Sequence, residues 1–193
     1  RANILIGTQM IAKGHDFPNV TFVGVVSADN LLNLPDFRAA ERTFQLITQV
    51  AGRAGRGESA GRVVVQTYTP EHFAIRLAAK HHYIAFAEKE LYQRRDALFP
   101  PYVRMVKIVF STMNQEMLEQ QMIKLADQLK AMEGLRGPLP CAIERIDRRY
   151  RWQILIKYSQ LNRVQRLIQK VMRVVPIAQE IRSFIDVDPT SII

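Results

Sequence analysis

The chain has 193 residues, and its 27 Lys and Arg against 18 Asp and Glu give a formal net charge of +9 at pH 7. This excess favours a polyanionic partner such as nucleic acid, although an anionic membrane surface would attract the chain in the same way. No apolar run reaches the roughly 20 residues that a membrane span requires, and no signal peptide opens the sequence, so we expect a soluble, cytoplasmic protein. The single cysteine, Cys141, excludes an internal disulfide framework and a multi-cysteine metal site within this chain.

The first part of the chain alternates short apolar runs with helical periodicity, which is typical of strands and crossover helices around a parallel sheet. Apolar runs at residues 4–6, 21–26 and 62–67 predict three strands. Between the second and third runs, apolar residues recur at steps of three and four and predict one buried helical face. That face consists of Phe37, Ala40, Phe44, Ile47 and Ala51.

Residues 70–99 are mostly good helix formers, and the pair Pro100 and Pro101 closes this helical connection. Beyond it the pattern predicts the order β-α-β-β-α-β of an α+β ferredoxin-like module. The predicted strands are 102–111, 141–146, 150–158 and 183–187, and the predicted helices are 115–132 and 161–175. We therefore predict three segments, 1–69, 70–99 and 100–193, the first of them α/β with a parallel sheet.

The stretch QVAGRAGR, residues 49–56, places two arginines three residues apart among small residues. If the preceding helix continued through it, Gln49, Arg53 and Arg56 would project to one side. Guanidinium groups stay charged and form paired bonds to phosphate oxygens, so the two arginines suit a phosphoryl group in transfer. The alternative is a helix end frayed by glycine, whose arginines face solvent and neutralise the helix dipole.

A second stretch, GTQMIAKGHDFPNV at residues 7–20, lies at the end of a predicted strand. Thr8 can bond a phosphate, the backbone at Gly14 can pass close to a ligand, and Asp16 can accept from a hydroxyl or hold an arginine. Ligands bind at the ends of the strands in open α/β sheets. The two stretches together therefore favour a phosphate site.

In this order and spacing, the two stretches resemble motifs V (T-x-x-x-x-x-G-x-D-x-P) and VI (Q-x-x-G-R-x-G-R) of the second RecA-like lobe of superfamily-two helicases. The segment SADNLLNLPDFRAAERTFQLITQ between them, and DVDP at residues 186–189, resemble more narrowly the bacterial replication-restart helicases. The resemblance implies a partial RecA-like lobe at residues 1–69. It also implies an ATP-dependent DNA helicase that recognises stalled or branched forks and restarts replication by assembling the primosome.

The same resemblance implies catalytic roles for Arg56, as the arginine finger that reaches the γ-phosphate of ATP, and for Arg53. Positions near the nucleotide are Gly14, Asp16 and Gln49. Thr8 matches the position that touches the DNA backbone. The sequence has no G-x-x-x-x-G-K-[ST] phosphate loop and no Asp-Glu magnesium pair. We therefore expect a carboxy-terminal fragment that does not hydrolyse ATP alone, from a parent protein that uses ATP and magnesium and binds zinc through cysteines outside this chain.

Basic residues are concentrated between residues 145 and 173 and predict a surface for DNA, although a solvated cationic face is the alternative. The predicted DNA contacts are Arg148, Arg149, Arg151 and Lys157. On strand 150–158, Arg151 and Lys157 share one face while Trp152 lies on the other. The resemblance also implies branched and single-stranded DNA, single-stranded-DNA-binding protein, primosome proteins and the replicative helicase loader as partners. Candidate contacts for the acidic tail of single-stranded-DNA-binding protein are Arg163, Gln165 and Arg166.

Two other functions fit the same residues. One is another superfamily-two translocase, such as a RecG-like branch-migration enzyme. The other is a non-catalytic module that binds nucleic acid or protein. No resident metal is expected in this chain, and Cys141 is interpreted as a small core residue.

Overall fold

The structure is a computed structural model that describes residues 3–8, 20–52, 54, 61–129, 134–174 and 180–193, without the side chains of residues 161, 163 and 174. The chain divides into two compact units, Arg1–Tyr92 and Gln93–Ile193. The first contains a two-stranded parallel sheet and the second a four-stranded antiparallel sheet. Each unit has its own apolar core. The predicted limits of 69 and 99 between segments stay a prediction.

The first unit is a crossover structure. Its elements in chain order are β1 (Phe22–Val25), α1 (Asp29–Leu32), α2 (Ala39–Ala51), β2 (Arg62–Val65), α3 (Phe73–Ala79) and α4 (Tyr83–Asp96), the last of which crosses the division between the units. The two strands pair from Phe22 opposite Arg62 to Val25 opposite Val65. Because parallel strands cannot be joined by a tight turn, α1 and α2 make the connection.

The strand predicted at residues 4–6 is wrong. Residues 4–8 have neither helical nor strand structure, and Ile4, Leu5 and Ile6 are 80%, 60% and 89% exposed. A strand is held by hydrogen bonds to a neighbour, and no strand among the described residues pairs with this segment. The apolar run alone therefore does not define a strand here.

The core of the first unit is aromatic. The ring of Phe86 stacks on Phe44 with centroids 4.2 Å apart, and on Phe73 with centroids 5.6 Å apart. Phe44 and Ile47, from the predicted apolar stripe of α2, are both buried. Each aromatic pair adds about 0.5–1.5 kcal/mol to the free energy gained by burying its area. These contacts fix α2, α3 and α4 against one another.

The helices of this unit pack on one face of its sheet. Val25 and Val65 lie on that face and contact the aromatic core. On the opposite face, Phe22 and Val64 are 58% and 42% exposed. Parallel sheets are usually covered on both faces, so this second face is unusually apolar for a solvent surface.

The second unit follows the order β-α-β-β-α-β. Its elements are β3 (Arg104–Thr112), α5 (Gln115–Leu129), β4 (Leu135–Ile146), β5 (Arg149–Tyr158), α6 (Leu161–Val174) and β6 (Arg182–Val187). The strands are arranged β4-β5-β3-β6, and each neighbouring pair is antiparallel. Both helices pack on the same face of this sheet, since their buried side chains join one core with those of β3 and β5.

That core confirms the apolar stripes that the sequence predicted for α5 and α6. The predicted stripe of α5 is buried from Leu118 through Leu129, and Val164 and Val171 are the buried positions of α6. Ile108 and Ile154, opposite each other on β3 and β5, are fully buried beneath them. Trp152 is half-buried against the same core.

Strand β4 is irregular in two places. Gly137 has φ +104° and lies so close to β5 that a Cβ atom would be 2.6 Å from the carbonyl oxygen of Gln153, so only glycine fits there. Further along, Pro140 pairs with Trp152 and Arg145 with Tyr150, which leaves residues 141–144 opposite a single residue of β5. We call residues 141–144 the β4 bulge. Bulges of this kind redirect side chains and bend the strand.

Candidate nucleic-acid interface

The residues predicted to face ATP are described only in part. Those outside the described residues are Gly14, Asp16, Arg53 and Arg56. Gln49 is exposed in the last turn of α2, which ends at Ala51, where the N–H of Gly52 donates to the carbonyl of Thr48 at 3.1 Å. The helix therefore ends before the two arginines. Thr8 is exposed in the irregular segment at residues 4–8.

The predicted DNA contacts of the second unit lie on or beside one sheet face. We call the face turned away from α5 and α6 the open face; its central residues Met105, Lys107, Val109 and Gln153 are buried, and Arg136 on its edge strand β4 is exposed. The cations on it are Arg136, Arg149, Arg151, Lys157, Lys107 and Arg182, as the strand register requires. Asp186 of β6 pairs with Lys107 and is a carboxylate of the same face. The prediction that Arg151 and Lys157 share a face opposite to Trp152 is confirmed.

Arg151 forms a hydrogen bond to the β4 bulge. It is the residue of β5 that faces the bulge, and its Nη1 donates to the carbonyl of Ile143 at 3.2 Å. The extra residues of a bulge lose their ladder partners, so this bond satisfies a carbonyl that the sheet does not. Arg151 is only half-buried, and its other donors can still reach solvent or a ligand.

Lys157 also contacts its own chain. Its Nζ donates to the carbonyl of Ala97 at 2.8 Å and lies 3.8 Å from the centroid of the Phe99 ring. Burial, and then the nearby charge of Arg136, lower the pKa of Lys157 below its ordinary value. Both effects disfavour the charged form. Lys157 therefore anchors residues 97–99 to the sheet as well as adding positive charge.

Arg149 is held at the end of the sheet. Its Nη2 donates to the carbonyl of Ser111 at 2.8 Å and to the carbonyl of Glu180 at 3.4 Å. These bonds connect β5 to β3 and to the residues before β6. Three of the four predicted DNA contacts thus share their donors with backbone carbonyls.

Arg148 differs from these three. It occupies the two-residue turn between β4 and β5, where Asp147 and Arg148 have φ +50° and +63°. Such turns usually use Asn and Gly, because a left-handed backbone costs other residues about 1 kcal/mol. Arg148 is exposed, and within the described part of the chain its guanidinium has no hydrogen-bond or ion-pair partner. The turn therefore presents a cation to solvent in a strained conformation, which is a feature of functional sites.

The basic residues of α6 form a separate surface. Gln165 and Arg166 are exposed, and Nε of Arg166 donates to the carbonyl of Asn162 at 3.2 Å. The side chain of Arg163 lies outside the described residues. Since Val164 and Val171 point into the core, the exposed residues of α6 face away from the sheet. The basic residues between 145 and 173 therefore divide between two sides of the unit.

Sequence reasoning missed three cations of the open face, Arg136, Lys107 and Arg182. Arg136 is exposed on a part of β4 that was not predicted to be strand. Lys107 is 5% exposed inside the apolar strand β3, and its Nζ donates to the carbonyl of Ile193 at 2.7 Å. A lysine within the apolar run MVKIVF was the available signal. Cys141 is buried as interpreted, and burial raises the pKa of its thiol despite the charges of Arg151 and Lys107.

A second polar arrangement was also missed, in the first unit. Asp29, which follows β1, is buried and binds the loop that follows β2. Its carboxylate accepts from Oγ1 of Thr67 at 2.9 Å, from the N–H of Tyr68 at 3.1 Å and from Oγ1 of Thr69 at 3.2 Å. Burial alone would raise the pKa of Asp29, but these hydrogen bonds outweigh it and the pKa is lowered. The carboxylate thus joins the two loops at the carboxyl ends of the parallel strands.

In the part of the chain that the structure describes, no three His, Cys, Asp or Glu side chains are grouped as metal ligands would be. None of the described helices combines the length and apolar character needed to cross a membrane.

These features define a two-unit α/β protein whose second unit carries basic residues on one face of an antiparallel sheet, around a buried centre. The family of the primosomal protein N C-terminal domain matches residues 95–190, which is nearly all of that unit. Residues 95–190 of the chain therefore belong to this family.

Replication restart proteins PriA are similar to almost the whole chain. The Bacillus subtilis protein is 48% identical over 176 residues, which cover 89% of this chain and 22% of the relative. The Synechocystis protein is 44% identical over 196 residues, which cover 99% of this chain and 23% of the relative. The Haemophilus influenzae protein is 38% identical over 194 residues, which cover 98% of this chain and 27% of the relative. The chain thus spans about a quarter of the length of these relatives.

Proposed function

We propose that this chain is the carboxy-terminal part of an ATP-dependent DNA helicase that recognises stalled or branched replication forks and restarts replication by assembling the primosome. The observation that carries the proposal is its similarity to replication restart proteins over 98% to 99% of its length. That similarity favours replication restart over a RecG-like translocase. Because the similarity covers both units, both are included in the proposed role at the fork.

The fold supports a finer assignment. The parallel pair β1 and β2 with the crossover helix α2 suits part of a RecA-like second lobe. The β-α-β-β-α-β order and the strand arrangement β4-β5-β3-β6 suit a ferredoxin-like domain. We assign the units accordingly.

On the DNA side, Arg148 and Arg136 are the primary phosphate contacts in this proposal. Both are exposed, and Arg148 extends from a turn where no neighbouring strand shields it. Arg149, Arg151 and Lys157 contribute positive potential and spare donors, while their hydrogen bonds to carbonyls keep the face rigid. Phosphate contacts of this kind give affinity without sequence preference, as binding to any stalled fork requires.

The test is forked-DNA binding by the 193-residue chain with Arg148→Asn. Asparagine suits the left-handed turn, so the variant removes the charge without adding backbone strain. We expect weaker binding at every sequence and a plot of log affinity against log salt that is shallower by about one unit. Lys124→Gln, on the exposed face of α5, removes the same charge from the other side of the unit and should change neither quantity. Equal effects of the two variants would refute the open face as the DNA site.

On the nucleotide side, we propose that Arg56 and Arg53 stabilise the γ-phosphate of ATP in the parent protein, with Gln49, Gly14 and Asp16 near the nucleotide. Thr8 then lies against the DNA backbone. ATP and magnesium would be held mainly by the other lobe, and zinc by cysteines outside this chain. In full-length protein, Arg56→Ala should lower ATP turnover by about 10³ to 10⁵, with fork binding kept. Unchanged turnover would refute the arginine finger, and the chain alone should show no turnover.

For partner proteins, we propose that the outer face of α6, with Arg163, Gln165 and Arg166, receives the acidic tail of single-stranded-DNA-binding protein. Primosome proteins and the helicase loader are further proposed partners. Since Gln165 and Arg166 are exposed on the side away from the open face, tail peptide and DNA should bind together. Fluorescence anisotropy of a labelled acidic peptide, with and without saturating DNA, checks this. Peptide binding together with a full-length protein that lacks DNA-stimulated ATPase would favour the non-catalytic interaction module.

A further inference from the structure

The loop after β2 presents an isolated aromatic ring. Tyr68 is 92% exposed, although tyrosine usually buries most of its ring. It lies between Thr67 and Thr69, whose hydroxyls point to Asp29, and it is followed by Pro70. The side chain is therefore accessible to a ligand.

This loop is held in place from a different element. The N–H of Tyr68 donates to the carboxylate of Asp29, which is buried at the start of α1. The N–H of Ala28 donates to the carbonyl of Gln66 at 3.0 Å, so the loops after β1 and β2 are joined by backbone as well. A ring on a fixed loop loses little conformational entropy on binding, which increases the affinity it can contribute.

The position of the loop also indicates a ligand. Gln66 continues the pairing of the two parallel strands, since its N–H donates to the carbonyl of Val25 at 2.9 Å, and Tyr68 follows two residues later. The carboxyl ends of parallel strands are where α/β sheets bind ligands. The adjoining Ser27 has φ +57°, a left-handed conformation that non-glycine residues rarely adopt and that occurs often at binding sites.

We infer that Tyr68 is a stacking platform for a base of single-stranded DNA, held ready by the bonds between Asp29 and the loop of residues 67–69. This inference rests on the proposed function in DNA, and it adds a contact in the first unit that is independent of the open face. A base is favoured over a protein partner because the chain has a net charge of +9, which attracts the phosphates of a nucleic acid toward the exposed ring. Stacking on a tyrosine needs no sequence-specific contact, because every base has a π-face.

The experiment measures binding of the 193-residue chain to fluorescein-labelled oligo(dT) of about 15 nucleotides, and to a duplex of the same length. Tyr68→Ala should weaken binding to the single strand by about 5- to 100-fold, as expected for one stacked base. The loss should be the same at low and high salt, because no phosphate contact is removed. Duplex binding should be unchanged, since paired bases are not available to the ring. Because Tyr68 is almost fully exposed, the variant should fold normally.

Two further variants complete the test. Tyr68→Trp should retain binding, and the added tryptophan fluorescence should be quenched by oligo(dT). Tyr92→Ala removes another tyrosine, 72% exposed on α4, and should have no effect. If wild-type chain binds the single strand and Tyr68→Ala binds it as well as Tyr92→Ala does, the stacking role is refuted and the proposed function survives. A duplex loss equal to the single-strand loss also refutes it. Failure of the wild-type chain to bind any DNA refutes the proposed function itself.

Discussion

Replacing Arg151 with methionine separates structure from DNA binding on the open face. Methionine keeps the unbranched side chain but removes the donor that bonds the carbonyl of Ile143 in the β4 bulge. Because the bond to the carbonyl of Ile143 is exposed to solvent, we expect its loss to cost about 1 kcal/mol, the net value of a typical hydrogen bond. For a unit of this size, that loss lowers Tm by about 4–8 °C.

The assay uses an internal probe. The chain has one tryptophan, and Trp152 packs against the core of the second unit, so its fluorescence follows the unfolding of that unit alone. Arg148→Asn is the matched control, because it removes one charge from the adjacent turn and should leave Tm unchanged or raise it slightly. A variant Arg151→Met with unchanged Tm, and with DNA binding reduced as in Arg148→Asn, would show that Arg151 is a free DNA contact and that the bulge does not depend on it.

Three further predictions concern the folding of the two units. Gly137→Ala should lower the stability of the second unit by about 1–3 kcal/mol, because the new Cβ meets the carbonyl of Gln153 at φ +104°; an unchanged urea midpoint of Trp152 fluorescence would contradict this. Phe86→Ala should cost the first unit about 3–5 kcal/mol and lower its far-UV circular dichroism midpoint, while Trp152 fluorescence unfolds as in wild type. The interactions that lower the pKa of Asp29 stabilise the first unit. Their contribution is complete above pH 3.8, the ordinary pKa of the group, and is lost as the pH falls through the folded pKa. Asp29→Asn should therefore lower the stability at pH 7 and reduce the dependence of stability on pH below about pH 4.

Local patterns predicted the second unit closely. The spacing of apolar residues gave the helix that begins at Gln115 and the helix that begins at Leu161, and both do begin there. Alternation along β5 correctly assigned Arg151 and Trp152 to opposite faces. These features depend on periods within one element, which the sequence displays directly.

Features that depend on distant residues were not predictable in the same way. The predicted strand began at residue 141 and missed the start of β4, which contains Gly137 and Pro138. These residue types are rare in strands, but on this edge strand they are accommodated by a register shift. The hydrogen bonds of Arg151 and Lys157 were not predictable, because their carbonyl partners at Ile143 and Ala97 lie in other segments. The run at residues 4–6 has the composition of a strand, but pairing decides whether one forms.

The exposed sheet face of the first unit affects how the chain behaves in solution. Phe22 and Val64 are exposed on that face among the described residues, and exposed apolar surface promotes self-association. At low ionic strength the net charge of +9 keeps molecules apart, and added salt screens that repulsion. Added salt should therefore promote self-association of the chain while it weakens the binding of DNA phosphates.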